Sequence, residues 1–176
     1  MRVSMGRILV IFMVLTALLT ATAAAASIED RKQELRDKTT MTLKRLYEKQ
    51  PQAQYAIEHA AGYAVFNNTG YKLGIFGSAH GRGMAVNNRT QQEVFMRMQE
   101  YQAGFGLGVK EYAAIFVFGN EEVWNQFVNA GWKFGGDATA SADDGVNGDS
   151  LQGSLIVAPG IWLYQMTTKG LALELA

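Results

Sequence analysis

The sequence predicts an α+β protein, with N-terminal helices packed on a curved, mainly antiparallel, glycine-rich β-sheet that can approach a barrel. Three observations predict this class. Apolar residues at helical spacing are confined to the N-terminal part of the chain, and an alternating pattern replaces them from residue 63 onward. The 19 glycines permit strong strand curvature. With 176 residues, 48% of them apolar, the chain can bury the core of one domain.

The first 26 residues have the pattern of a Sec-type signal peptide. Residues 1–7 carry two arginines, residues 8–19 are apolar apart from Thr16, and residues 20–27 are small and offer Ala-x-Ala cleavage sites. The apolar run is shorter than the ~20 residues of a spanning helix. We therefore expect cleavage after Ala26, a mature single domain of residues 27–176, and a periplasmic or secreted location.

Composition argues against several functions. Lys+Arg and Asp+Glu number 16 each, but Arg2 and Arg7 belong to the leader, so the mature chain carries 14 basic and 16 acidic side chains. This balance predicts no nucleic-acid partner, because such binding needs a basic surface. The chain contains no cysteine, which rules out disulfides, thiolate metal sites, a cysteine nucleophile and a lipid-modified cysteine.

Residues 27–61 form the predicted helical lead-in. Residues 27–30 read as a capping box, and apolar residues recur at near-helical spacing after it, which predicts a helix over 28–49. Pro51 interrupts that helix and can open a second one that ends before Gly62.

The body, residues 62–176, is predicted to be a series of strands. We expect them at 63–66, 71–76, 79–86, 94–101, 103–109 and 112–118, with turns at 67–70 and 87–88. A short helix follows Gly119, with Trp124 and Phe127 on its apolar side and Gly131 as its stop. The last strands are expected at 151–158, 161–167 and 171–175.

Glycine is placed at alternate positions in two of these strands. Gly104, Gly106 and Gly108 occupy one strand face, and the run 79–85 repeats the design with alanine and glycine. A face without side chains suits tight curvature, the close approach of another backbone or helix, or a flat ligand. We assign Gly104, Gly106 and Gly108 a structural role, and a ligand groove remains the alternative.

The sequence predicts no enzyme, no catalytic residue, no cofactor and no metal site. His59 and His80 lack a neighbouring motif, and residues 77–81 do not fit the Gly-x-Ser-x-Gly elbow. Residues 143–149 supply oxygen ligands and leave weak calcium binding open, but they lack the closing glutamate of a helix-loop-helix site, so a polar turn is favoured.

Several motifs, in order, resemble the SYLF domain family over about residues 52–175. They are Gly62-Tyr63-Ala64-Val65-Phe66, the glycine-punctuated run 74–83, the Gly104-x-Gly-x-Gly strand, the acidic-start helix with Phe127, Gly135-Gly136-Asp137-Ala138, and Lys169-Gly170-Leu171. Eukaryotic members include actin-patch proteins and phosphoinositide-binding proteins, often with a contributing N-terminal helix. Bacterial members are exported single-domain forms, and this chain resembles them, so actin is not an expected partner.

The resemblance implies a non-enzymatic exported module that binds anionic phospholipid head groups, a membrane surface or another envelope component such as a protein. A structural or oligomer-forming envelope protein is the alternative. The chain departs from the family in lacking a lipobox cysteine and in carrying residues 164–169 where relatives have a serine-rich basic stretch. The predicted lipid-binding residues are Lys44, Arg45, Lys49, Lys72, Arg82 and Lys169. Acidic residues nearly cancel the bases of the 28–49 helix, so we expect this helix to dock on the sheet, with membrane contact as the alternative.

Overall fold

The computed structural model describes residues 5–131, 153–167 and 170–172, with side-chain surroundings for 27–73, 76–101, 107–131 and 153–167. The chain divides into two compact units, Met1–Arg36 and Asp37–Ala176. Helices lead the chain and an antiparallel sheet follows, which confirms the predicted α+β class.

Three helices are present among the described residues: α1 is Met5–Lys49, α2 is Pro51–His59 and α3 is Glu121–Ala130. The predicted helix over 28–49 lies within α1, which begins earlier. Pro51 stands at the start of α2, where its missing N–H costs no helical hydrogen bond. No helix in the described part of the chain has the length and hydropathy of a membrane span.

Surface ion pairs mark the N-terminal unit. The Arg36 guanidinium lies 2.8 Å from the Glu29 carboxylate, and the Lys32 ammonium lies 3.7 Å from it. The hydrogen bond from Arg36 lowers the pKa of Glu29 below its ordinary value. These exposed pairs add little to stability, because water screens them.

The described strands are β1 (Gly62–Asn87), β2 (Glu93–Phe118), β3 (Leu155–Ala158), β4 (Ile161–Thr167) and β5 (Gly170–Ala172). All pairs are antiparallel, in the order β1-β2-β4-β3, and β5 also pairs with β4. This order is open, so the described strands do not close into the barrel that the glycine content would allow.

Two long strands replace six short predicted ones. The expected turn at 67–70 is wrong, because these residues pair in the ladder, from Asn67 opposite Ala113 to Gly70 opposite Lys110. The turn preferences of Asn and Gly are local, and pairing with β2 overrides them. The turn after Asn87 is confirmed, since Asn87 Oδ1 accepts hydrogen bonds from the N–H groups of Arg89 and Thr90.

Both faces of the sheet are buried where β1, β2 and β4 lie side by side. One face packs under α1 and α2, with Val65, Ile115 and Tyr164 side by side on β1, β2 and β4. The other carries Phe66, Phe116 and Leu163, and α3 covers it with Trp124 and Phe127. Alternate residues of each strand therefore belong to two hydrophobic cores, one on each face of the sheet. This explains the nearly continuous apolar run over 112–118.

The long hairpin of β1 and β2 folds back on itself. A Cβ atom built at Gly83 would lie 2.8 Å from Phe66 Cα, and one at Gly81 would lie 2.6 Å from the Asn67 carbonyl oxygen. The Asn88 N–H also donates to the carbonyl of Ala61 at 3.0 Å. The two ends of β1 therefore lie layer on layer, and the glycines at 81 and 83 allow their backbones to approach.

Candidate functional site

Two surfaces of the Asp37–Ala176 unit offer a place for a ligand. The first, the polar cleft, is a cavity of about 290 Å³ between α1 and the sheet. The second, the hairpin bend, is the middle of the folded hairpin, where residues 71–78 of β1 run beside 101–109 of β2.

Helix α1 supplies one wall of the polar cleft. Lys38, Thr42 and Arg45 recur at spacings of four and three residues, so they share one helix face. Thr42 is buried, and its hydroxyl donates to Asn67 Oδ1 of β1 at 3.2 Å. Lys38 and Arg45 are exposed at the rim. This hydrogen bond ties the helix to the sheet and sets the position of both cations.

The sheet supplies the opposite wall of the polar cleft. Asn67 and Thr69 line it from β1, Glu111 from β2 and Thr167 from β4. Asn68 and Tyr112 also line it, so the cleft offers two cations, three hydroxyl groups and two amides on the sheet, and one carboxylate. Such a set can hold an anionic group through Arg and Lys and accept a hydrogen bond from a ligand hydroxyl through Glu111.

The hairpin bend is apolar and exposed. Six large side chains there are 53–80% exposed: Tyr71, Leu73, Phe76, Tyr101, Leu107 and Val109. They line a shallow groove of about 790 Å³, in which Lys72 is the one charged residue among the described lining residues. Large exposed apolar patches on soluble proteins commonly mark interaction sites.

The bend is exposed because the hairpin folds in half. Behind it, the Tyr112 hydroxyl donates to the Glu100 carboxylate, which joins one layer of β2 to the other. Burial, with the contribution of Glu100, raises the pKa of Tyr112 far above its ordinary value, so this phenol stays protonated as a donor. Closer to the crease, Leu73 pairs with Leu107 and Tyr71 with Val109, and neither core of the described residues includes them.

The predicted lipid-binding residues lie in three places. Lys44, Arg45 and Lys49 are exposed on the last turns of α1, and only Arg45 of these lines the polar cleft. Lys72 lies at the hairpin bend. Arg82 is exposed on the second half of β1, opposite Arg97. Lys169 lies outside the described residues.

Sequence reasoning missed most members of both surfaces. Lys38 and Glu111 carry no local motif, and only the packing of α1 on the sheet brings them together. The apolar residues of the bend follow the alternation of a buried strand, so the pattern alone places them in a core. The Gly104-x-Gly-x-Gly run is the signal that could have predicted their exposure, because it leaves one face of the strand without side chains.

The structural glycines differ in their surroundings. Gly108 has φ +148°, a conformation that favours glycine, and a Cβ built there would meet no atom within 4 Å. Gly106 pairs with Gly74 in the ladder. The surroundings of Gly104 and Gly106 lie outside the described residues, as does the acidic loop 143–149.

Both histidines lie against tyrosines. The His59 ring stacks on Tyr55 with centroids 3.8 Å apart, and its Nδ1 lies 2.9 Å from the Tyr55 carbonyl oxygen. The His80 ring lies nearly parallel to that of Tyr71 at 6.1 Å. In the described ranges, no three His, Asp or Glu side chains group closely enough to hold a metal ion.

Comparison with known proteins finds a distant curated relative. No family model matches the chain. A protein named Beta cell expansion factor A, from Aeromonas veronii, is 30% identical over 130 residues, which are 74% of this chain and 48% of that protein. The chain thus spans about half the length of this curated relative.

Proposed function

We propose that the mature chain is a non-enzymatic exported module that binds phospholipid head groups, with the polar cleft as the head-group site. The observation that carries the proposal is the cleft's donor set, in which Arg45 and Lys38 face the sheet-side hydroxyl and amide groups across about 290 Å³. Pockets of about 300 Å³ are at the small end for ligand sites, which suits a head group. The resemblance to lipid-binding SYLF domains supports the same class.

Glu111 narrows the choice of head group. A carboxylate on the wall opposes a group with several negative charges, but it accepts hydrogen bonds from hydroxyls. A head group with one phosphate and free hydroxyls, as in phosphatidylglycerol, can bind the cations of α1 through its phosphate and donate a hydroxyl to Glu111 on the sheet. We therefore take phosphatidylglycerol as the first lipid to test.

Vesicle sedimentation tests this function. We expect the protein to sediment with phosphatidylglycerol vesicles more than with phosphatidylcholine vesicles, and less as salt rises, because salt screens the contribution of ~1 kcal/mol from each cation near an anionic surface. Lys38→Glu/Arg45→Glu should lose this binding. Equal sedimentation of the wild type with both vesicle types would contradict the proposal.

The matched control is Lys44→Glu/Lys49→Glu. It reverses two exposed cations of the same helix outside the cleft, so its net charge equals that of the test variant. We expect it to retain more binding than the cleft variant. Loss in the control with retention in the cleft variant would place the site at Lys44 and Lys49, two of the lipid-binding residues predicted from the sequence.

Export is part of the same proposal. The leader pattern of residues 1–26 predicts a mature N-terminus at or within two residues of Ser27. N-terminal sequencing of the protein purified from its host checks this. An intact Met1 in a membrane fraction would refute it.

A further inference from the structure

We infer that the apolar side chains of the hairpin bend insert into the acyl region of a lipid bilayer, as a second membrane contact separate from the polar cleft. The inference rests on the proposed lipid function but adds a different ligand chemistry, hydrocarbon in place of a phosphate head group. The evidence for this inference is the exposure of large apolar side chains. Leu73 is 78% exposed, Phe76 73% and Leu107 80%.

The chemistry of the bend fits a membrane interface. Leu73, Phe76 and Leu107 are its most exposed residues without a polar group, and Tyr71 and Tyr101 lie in the same groove. Tyrosine is enriched where hydrocarbon meets water, because its ring is apolar and its hydroxyl polar. Leucine and phenylalanine can then enter the acyl layer while the tyrosine hydroxyls remain at head-group level.

The charge of the groove at the hairpin bend favours a lipid surface as its ligand. Among the described residues that line the groove, the one charged side chain is Lys72, and no carboxylate accompanies it. A half-buried lysine can extend its ammonium toward phosphates while its stem lies along apolar neighbours. Apolar insertion combined with a cation is the usual composition of interfacial membrane anchors.

The folded hairpin holds the inserting side chains in place. The bend is the crease of the folded hairpin, and its strands pair from Tyr71 with Val109 to Ser78 with Tyr101, apart from an irregularity between Gly74 and Phe76. Each strand has one partner there among the described strands, so its outward-facing N–H and C=O groups stay with water and head groups while the apolar side chains enter the hydrocarbon. The Tyr112–Glu100 hydrogen bond behind the crease joins the layers that hold the bend in place.

The absence of cysteine makes a direct test simple. A Leu107→Cys variant carries one thiol, which we would label with an environment-sensitive nitrobenzoxadiazole dye. On addition of phosphatidylglycerol vesicles we expect a blue shift and an intensity increase of about twofold or more, with quenching by lipids that carry nitroxide on the acyl chain. The same dye at Gln126→Cys, an exposed position on α3, should not respond.

A charge variant provides the second measurement. Leu73→Asp/Leu107→Asp should bind vesicles about tenfold more weakly, because two apolar anchors become anions. Both residues are exposed, so the fold should tolerate the change, and circular dichroism checks this. Gln52→Asp/Gln126→Asp adds the same charge at exposed positions on α2 and α3 and should bind nearly as the wild type does.

The outcomes separate this inference from the proposed function. Normal binding to phosphatidylglycerol vesicles with no dye response at residue 107 would overturn the inference and leave head-group binding standing. No binding of the wild type to any vesicle would overturn both. A lipid-free dimer in sedimentation velocity, lost in Leu73→Asp/Leu107→Asp, would show that a second copy covers the bend and would also overturn the inference.

Discussion

Replacement of Gly83 by alanine is expected to destabilise the protein by about 3 kcal/mol or more, at the upper end of overpacking effects. The added Cβ would lie 2.8 Å from Phe66 Cα and as close to the Phe66 ring. A backbone atom of the facing layer cannot turn away as a side chain can, so the two layers of the hairpin must separate. Urea unfolding followed by circular dichroism measures the loss.

The control for this change is Arg82→Ala. Arg82 is the adjacent residue and is exposed, so its truncation should change the free energy of unfolding by less than about 0.5 kcal/mol. An alanine at 83 that matches the wild type would contradict the layered packing. Inside an ordinary strand, replacing glycine by alanine stabilises the protein, because glycine loses more conformational entropy on folding. The destabilisation expected at Gly83 therefore has the opposite sign.

Truncation of Phe127 to alanine is expected to cost about 3–5 kcal/mol, the usual range for a buried phenylalanine. Its ring lies 4.7 Å from that of Phe118, 5.8 Å from Phe116 and 6.3 Å from Phe66, measured between centroids. These contacts hold α3 on the sheet, so the variant removes packing from both elements. Calorimetry should show a melting temperature lower by roughly 10 °C.

Gln126→Ala is the matched control for Phe127. Gln126 is exposed on the same helix, and alanine is a better helix former than glutamine, so stability should stay within about 0.5 kcal/mol of the wild type. Equal melting temperatures for both variants would show that α3 does not anchor on this aromatic cluster.

Local signals predicted some elements closely. Strand β4 covers 161–167 as expected, since a run that is apolar apart from Gln165 follows Pro159-Gly160 there and ends at Thr167-Thr168. Helix α3 begins after Asn120, whose side chain accepts from the Val123 N–H, and ends at Gly131 with φ +68°. Caps, proline and positive-φ glycine act within a few residues, so one segment carries the whole signal.

The candidate site could be predicted only in fragments. The sequence predicted that Arg45 and Lys72 belong to one lipid-binding set. In the structure, Arg45 lines the polar cleft and Lys72 lies at the hairpin bend. Lys38 and Glu111 are distant in sequence and become neighbours only when α1 packs on the sheet. Such a pairing has no local signature.

The sequence by itself determined the α+β class, the helix ends at Pro51 and Gly131, and the glycine faces that allow close backbone contact. Tertiary structure decided what approaches those faces: at Gly81 and Gly83 it is the first half of the same strand. It also decided that Asn67 to Gly70 extend the ladder, since pairing with β2 outweighs local turn preference. The exposure of Leu73 and Leu107 follows from the same folding back, because alternation specifies a face of a strand but not what covers it.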